Sequence, residues 1–391
     1  MVQPPPSTRR ASIDPTRLRA EVAAMMEAAW RAPGYCVPNP VTYPHQWLWD
    51  SCFHVAIWLA LGDARAGVEL ANALANQDPD TGFVPHMTYW SEPAAAVGLW
   101  GRPLTSNLTQ PPMYGHAAAC LIEAGHRPDD AVLDACRRGL LHLLVGRGRT
   151  SAGLIPIVHP WESGCDDSPR WDDHGRPDRT WAEVKSELVA ELVADPGGPR
   201  FVVGSIGFNS LVVWNTRRLT AASTAVGVDV DADRTLALAA DEVAAALARR
   251  WDPTIATWVD DGAPSGRTRT LDALLALLVD PRPEGFDQLV DHEAFGAPFG
   301  PCGVHRAEPS YRPDRYWRGP AWPQLSYLLV LAAVADGRHR LAGSLARSLL
   351  GGAAVSGLAE YWHPDTGTAG GARPQTWTGL ALAVSTHASP P

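Results

Sequence analysis

Asp14–Ala29 reads D-P-T-R-L-R-A-E-V-A-A-M-M-E-A-A. Asp14 offers an N-cap acceptor, and Pro15 suits the first helical position, whose N–H needs no intrahelical partner. Leu18, Val22, Met25, Met26 and Ala29 then recur at helical spacing. Further helical stretches are predicted near 46–62, 64–77, 110–125, 129–146, 181–194, 206–227, 231–250, 268–280, 317–336, 339–350 and 376–386. Gly and Asp-Pro punctuation separates them, as at Gly62-Asp63, Gly125, Asp195-Pro196-Gly197 and Gly337. Strand-like alternation is sparse: Ile155-Pro156-Ile157-Val158 and Phe201-Val202-Val203 are too short to build a sheet. About a dozen helices without a strand-rich block imply an all-α fold of paired helices. Such pairs can close as inner and outer rings, an (α/α)₆ barrel.

The chain has 391 residues, 46% hydrophobic and 19% charged, which suits a globular protein with a substantial core. Residues 1–12 are rich in Pro, Ser and Arg and are expected to be a disordered tail, leaving 13–391 as a single domain. The Pro/Gly/Arg stretch 281–315 reads as a long loop, the kind that can act as a lid. A net charge of −9 without a Lys/Arg-rich run argues against nucleic acid and anionic membranes as partners. No apolar run reaches the roughly 18 residues of a membrane span. The six cysteines are scattered with no C-x-x-C pair, so they read as reduced thiols with no metal site. Together with a start that lacks a signal-peptide core, this places the protein in the cytoplasm.

Tryptophan is over-used: 16 of them, against 7 Phe and 8 Tyr. Flat apolar faces with an N–H handle suit sugar-binding clefts, although Trp also fills helical cores. The densest chemistry lies in Trp161–Asp172, W-E-S-G-C-D-D-S-P-R-W-D, with four carboxylates and two tryptophans in twelve residues. Crowded carboxylates beside aromatic surface have pKa values pushed apart, so one can hold a proton near neutral pH. A proton donor beside a flat platform is what cleaving a sugar acetal needs.

Four other segments pair aromatics with polar groups. In Y-P-H-Q-W-L-W-D (43–50), Trp47 and Trp49 are two apart and cannot share a helical face, so one can line a cleft while the other packs the core. Asp50 either caps a helix or accepts hydrogen bonds from sugar hydroxyls. Around Gly82–Met87 and Ser106–Pro112, His86 reads as structural and Gln110 as an amide aimed at a cleft. In Y-R-P-D-R-Y-W-R-G-P-A-W (311–322), Gly319-Pro320 would start a helix. Tyr316, Trp317 and Trp322 offer stacking faces there, and Arg318 offers a fork for a carboxylate of the protein or of a substrate. In E-Y-W-H-P-D-T-G (360–367), Glu360 sits among aromatics, a poor place for a solvated carboxylate. Gln375 and Trp377 follow in Q-T-W-T.

From about residue 40 to 386 these segments resemble glycoside hydrolase family 63, within it the short bacterial enzymes that hydrolyse mannosylglycerate and glucosylglycerate. The resemblance rests on W-L-W-D (47–50), T-Q-P-P (109–112), E-S-G-C-D-D-S (162–168), Y-W-R-G-P-A-W (316–322), E-Y-W-H-P-D-T-G (360–367) and Q-T-W-T (375–378). It implies an (α/α)₆ barrel and hydrolysis of an α-glycosidic bond with inversion. It also implies Asp166 as general acid and Glu360 as general base, with no cofactor or metal. Trp49, Asp50, Gln110, Tyr316, Trp317 and Gln375 fall on family substrate positions. Tyr43, Trp47, Trp161, Gly164, Arg318, Trp322 and Trp377 complete the expected sugar site. Like charge from Asp167 and Glu162 would raise the pKa of Asp166. Inversion calls for carboxyls roughly 6.5–9.5 Å apart.

The sequence departs from the pattern at Asp167 and Ser326, where the family usually has Asn, and in its short 173–200 segment. Arg179, Arg200 and Arg318 are the candidates to meet a glycerate carboxylate. Glucosylglycerate or mannosylglycerate is the first expected substrate. An α-glucosidase of a disaccharide or specialised metabolite, an inverting phosphorolytic transferase and a non-catalytic glycan-binding protein are the other readings.

Overall fold

A computed structural model describes residues 14–227, 230–262 and 264–388; the expected tail over 1–12 lies outside the described residues. Helix α1 (Pro15–Ala29) begins as its sequence requires, with the Asp14 carboxylate accepting from the Thr16 and Arg17 N–H groups and five apolar residues turned inward. The chain continues through α2 (Leu48–Leu61), α3 (Arg65–Leu74), α4 (Pro93–Trp100), α5 (Tyr114–Glu123), α6 (Asp130–Leu141) and α7 (Trp181–Ala194). It then forms α8 (Ile206–Ala225), α9 (Val230–Ala248), a 3₁₀ segment (Leu271–Leu278), α10 (Pro283–Asp287), α11 (Pro323–Ala335) and α12 (His339–Ser356). The last inner element starts as 3₁₀ at Thr376–Gly379 and continues as α13 (Leu380–Ala383).

Packing closes these elements into a ring. α2 touches α5, α5 touches α8, α8 touches Leu271–Leu278, that segment touches α11, α11 touches α13, and α13 returns to α2. α3, α6, α9, α10 and α12 each pack outside the inner element that precedes them, and α1 covers α13. This is the (α/α)₆ barrel, and the burial pattern explains the division. In α2 every residue from Leu48 to Trp58 is buried, as a helix walled in on all sides requires. In α3 only Ala66, Glu69, Leu70, Ala73 and Leu74 are buried, one face of an outer helix.

A buried polar clasp joins the two ends of the ring. Glu69 of α3 is fully buried and accepts from the Cys36 N–H (3.0 and 3.1 Å) and from Trp58 Nε1 (3.3 Å). His54 of α2 meets Glu69 Oε1 at 3.0 Å with Nδ1 and the Thr376 hydroxyl at 2.7 Å with Nε2. Cys36, His54 and Glu69 bring their donor atoms within 4.8 Å of one another, but these hydrogen bonds occupy the carboxylate and the imidazole.

The structure corrects several expected boundaries. The helix expected over 317–336 begins only at Pro323, so Gly319-Pro320 starts no helix. The 319–322 backbone is engaged otherwise: Gly303 N–H donates to the Gly319 and Pro320 carbonyls, and Ala321 pairs with Trp362. The helix expected over 268–280 is a 3₁₀ segment whose first residue donates to the Gly303 carbonyl. The stretch 281–315, expected as one loop, contains α10 and roots Phe286, Phe295, Cys302 and Val304 in the core. α4 lies outside the helical stretches expected from the sequence. Among the described residues, sheet is confined to two-residue antiparallel ladders, one of which sets Gln46 opposite Thr88 and Trp47 opposite Met87.

Candidate active site

A cleft of about 430 Å³ opens where the inner elements begin. Trp47, Trp49 and Asp50 stand at the start of α2, Gln110 shortly before α5, Tyr316 and Trp317 before α11, and Gln375 and Trp377 at the start of the last inner element. Trp161, Gly164 and Asp166 come from the loop between α6 and α7, and Glu360 from the turn after α12. Tyr43 and Pro38 complete the lining; nothing in the sequence singled out Pro38. Aromatic walls with few polar groups are the usual composition of small-ligand sites.

Both Trp47 and Trp49 line the cleft, where the expected sugar site has them. Trp47 precedes the helix, in the ladder with Met87, so the rule about helical faces does not govern it. Asp50 is not a cap. The N-cap is Trp47, and Asp50 Oδ1 is buried without a protein partner. Two expected lining residues lie elsewhere. Trp322 is fully buried beneath Trp317, stacked at 3.6 Å between ring centroids and 7° between planes, so it supports the wall without forming it. Arg318 holds the protein's own Asp172 through two hydrogen bonds of 2.6 and 2.7 Å. Trp317 sits at φ 54°, a costly conformation for a bulky residue, held by that stack. His86 is buried outside the cleft, its Nδ1 at 2.7 Å from the Ser106 hydroxyl, and burial lowers its pKa to about 3.

The cleft's carboxylates occupy different surroundings. Asp166 has its pKa raised to about 6, first by burial; the Lys185 ammonium opposes the rise and Asp167 adds to it. Burial therefore outweighs the like-charge cause expected from the sequence. Glu162 is not part of it: its carboxylate is drawn off by Arg147 (2.5 Å) and by the N–H groups of Val158 and Thr109. Glu360 is 2% exposed and its pKa is raised by burial. Two donors matched to the charged form restrain that rise: the Ala372 N–H on Oε2 (2.8 Å) and the Tyr43 hydroxyl on Oε1 (3.0 Å). Asp50 is raised well above the usual carboxylate range, first by burial and then by Glu360.

Close backbone approach fixes two side chains of the cleft. Gly164 lies at φ 73°, and a Cβ there would meet the Trp49 ring at 2.5 Å. Gly371 lies at φ 69°, and a Cβ would collide with Glu360 Oε2. Gly164→Ala is expected to cost about 1–3 kcal/mol of stability from the left-handed backbone alone. It should also lower kcat/KM by pushing Trp49 into the cleft. Denaturant melts with steady-state kinetics check this, and an unchanged variant would refute the close packing.

The anchor of the Asp166 loop escaped the sequence reading. Arg170, 1% exposed, pairs with Asp260 and Asp272 and lies over the Trp171 ring at 4.5 Å. Asp260 also accepts from the Ile206 N–H at the start of α8 (2.8 Å), so one buried group ties the loop to two inner elements. An arginine inside a Pro-Arg-Trp run was the available signal. The candidates for a substrate carboxylate are engaged within the protein: Arg179 with Glu187, Arg200 with Glu191, Arg318 with Asp172.

Residues 43–378 match the mannosylglycerate hydrolase MGH1-like glycoside hydrolase domain. The chain belongs to this family. It is a glycoside hydrolase that acts on small glycosides. It is 28% identical over 405 residues to the mannosylglycerate hydrolase of Thermus thermophilus, covering 90% of this chain and 96% of the relative. It is 28% identical over 451 residues to the glucosylglycerate hydrolase of Mycolicibacterium hassiacum, covering 95% and 98%. A crystal structure of a family 63 mannosylglycerate hydrolase from Thermus thermophilus, in complex with Tris and D-glycerate, superposes with a TM-score of 0.81. That match is at 24% identity over 94% of this chain and 100% of the other.

Proposed function

We propose that the protein hydrolyses the α-glycosidic bond of a small glycoside with inversion, Asp166 acting as general acid and Glu360 as general base. The observation that carries this reading is the pair of carboxyls lining one cleft in unlike surroundings. Asp166, buried and with its pKa lifted to about 6, can deliver a proton to the leaving oxygen. Glu360 accepts from two donors that favour its charged form, the form that can take a proton from water. As the glycosidic bond breaks, the Asp166 proton passes to the aglycone oxygen. Water adds to the anomeric carbon from the opposite face and gives its proton to Glu360. Trp47, Trp49, Trp161, Trp317 and Trp377 would supply stacking faces, and Asp50, Gln110, Tyr316 and Gln375 hydrogen bonds to the hexose.

The relatives' substrates, mannosylglycerate and glucosylglycerate, are the first to assay. Proton NMR of the first-formed sugar should show the β anomer from an α-glycoside; the α anomer would refute this division of roles. We also read 13–391 as one catalytic domain, with neither nucleic acid nor membrane as a partner. The net charge of −9 supports that, and no helix among the described residues is long and apolar enough to cross a membrane. Six unpaired cysteines support a cytoplasmic location, which cell fractionation checks.

A further inference from the structure

Resting on the hydrolytic reading, we infer that Lys185 is a positioning residue for the general acid: it neutralises Asp167, the carboxylate next in the chain, and holds the Asp166 segment against α7. One turn of that helix makes the attachment. Trp181 and Lys185 are four residues apart and share a face. Trp181 Nε1 donates to the Asp166 carbonyl at 2.9 Å, and Lys185 Nζ donates to Asp167 Oδ1 at 2.5 Å. The Lys185 carbonyl accepts from His159 Nε2 at 3.0 Å, and His159 Nδ1 accepts from the Trp161 N–H at 3.1 Å. Those two bonds fit one tautomer of a neutral imidazole, and burial lowers the His159 pKa to about 3. The turn thus grips the loop at His159, Asp166 and Asp167, and the loop so held brings Trp161 and Asp166 to the cleft.

Asp167 stands where the family usually has Asn, so this chain places a second carboxylate directly after the acid. The Lys185 side chain is 12% exposed and that of Asp167 31%, so solvent screens the pair less than one on the open surface. A neighbouring carboxylate makes an acid hold its proton more tightly, and a neighbouring ammonium does the reverse. Burial lifts the Asp166 pKa, the Lys185 ammonium lowers it and Asp167 lifts it again. Other elements present further groups to Asp166. Tyr316, before α11, hydrogen-bonds to it, and Glu360, Asp50 and Tyr43 share the cleft with it. Among these groups Lys185 is the cation. A general acid works best with its pKa near the working pH, so Asp167 left bare would make Asp166 a poorer donor.

The test is the pH profile of kcat/KM for the full chain, which reports the ionisations of the free enzyme. The substrate is whichever of glucosylglycerate, mannosylglycerate and an α-linked glucose disaccharide is cleaved. Lys185→Met leaves Asp167 bare beside the acid, so the alkaline limb should move up by about 0.5–1 pH unit. Asp167→Asn removes the like charge and leaves the ammonium, so the limb should move down by a similar amount. The double variant should bring the limb back toward its wild-type position, and Lys185→Arg should keep it there. A merely structural role would lower activity in both single variants without opposed shifts. Limbs that stay in place, or that move the same way, overturn the inference and leave hydrolysis standing. Should Lys185→Met fail to fold, Asp167→Asn decides alone: a downward shift supports the inference and an unmoved limb overturns it. Wild-type turnover by Asp166→Asn, or no cleavage of any of the three substrates, would remove the hydrolytic reading itself and this inference with it.

Discussion

Glu360→Gln is expected to lower kcat by about 10²–10⁴ while sugar still binds, because the amide keeps the shape but cannot take a proton from water. Asp166→Asn should cost as much, since no neighbouring group can replace the acid in the same position. Steady-state kinetics and calorimetric binding of a glycoside to each variant separate the two effects. Retention of wild-type turnover by either would end the two-carboxylate scheme. The wild-type pH profile carries the same information. Activity needs Asp166 protonated, so kcat/KM should fall as pH rises through about 6. It should also fall at low pH, as Glu360 takes up a proton. The folded protein holds the Asp166 proton more tightly than the unfolded chain does. That carboxyl therefore subtracts stability progressively as pH rises from its ordinary pKa of 3.8 through about 6. Asp166→Asn should be inactive and, at neutral pH, at least as resistant to thermal unfolding as the wild type.

Arg170→Met is expected to destabilise the fold by about 3–5 kcal/mol, because it strands Asp260 and Asp272 as buried charges without a counterion. The loss should be partly recovered when Asp260→Asn and Asp272→Asn are added, since neutral amides tolerate burial better than bare carboxylates. Turnover should drop in the single variant beyond what instability explains. Arg170 fixes the segment that carries Asp166, and small displacements of a reacting group are costly. Chemical denaturation of the single and triple variants checks this. A single variant within about 1 kcal/mol of wild type would show that the pairing is not structural.

Much of this site was legible because aromatic, amide and carboxylate residues cluster in short runs beside helix starts. Trp47, Trp49 and Asp50 stand before and within the first turn of α2, and Gln375 and Trp377 at the opening of the last inner element, so local pattern and position agree. What stayed hidden depends on contacts distant in sequence. Nothing near Arg318 reveals that Asp172, far away in the chain, neutralises it. Trp322 looks as good a platform as Trp317 until the stack shows which of the two faces the cleft. The pKa of Asp166 was foreseen in direction, but its main cause was not, because burial is a property of the closed ring. The paired helices were visible from apolar spacing. Their closure rests on α13 meeting α2, a contact that periodicity cannot express.

That meeting has a consequence for how the chain is born. The clasp of His54, Glu69 and Thr376 joins residues that a ribosome makes far apart in time, His54 and Thr376 standing 322 positions apart. Asp50 and Trp377 share one cavity for the same reason. A nascent chain can pair its early helices, but its sugar pocket stays incomplete until Glu360, Gln375 and Trp377 emerge and α13 locks the circle. Catalytic competence therefore waits on that closure.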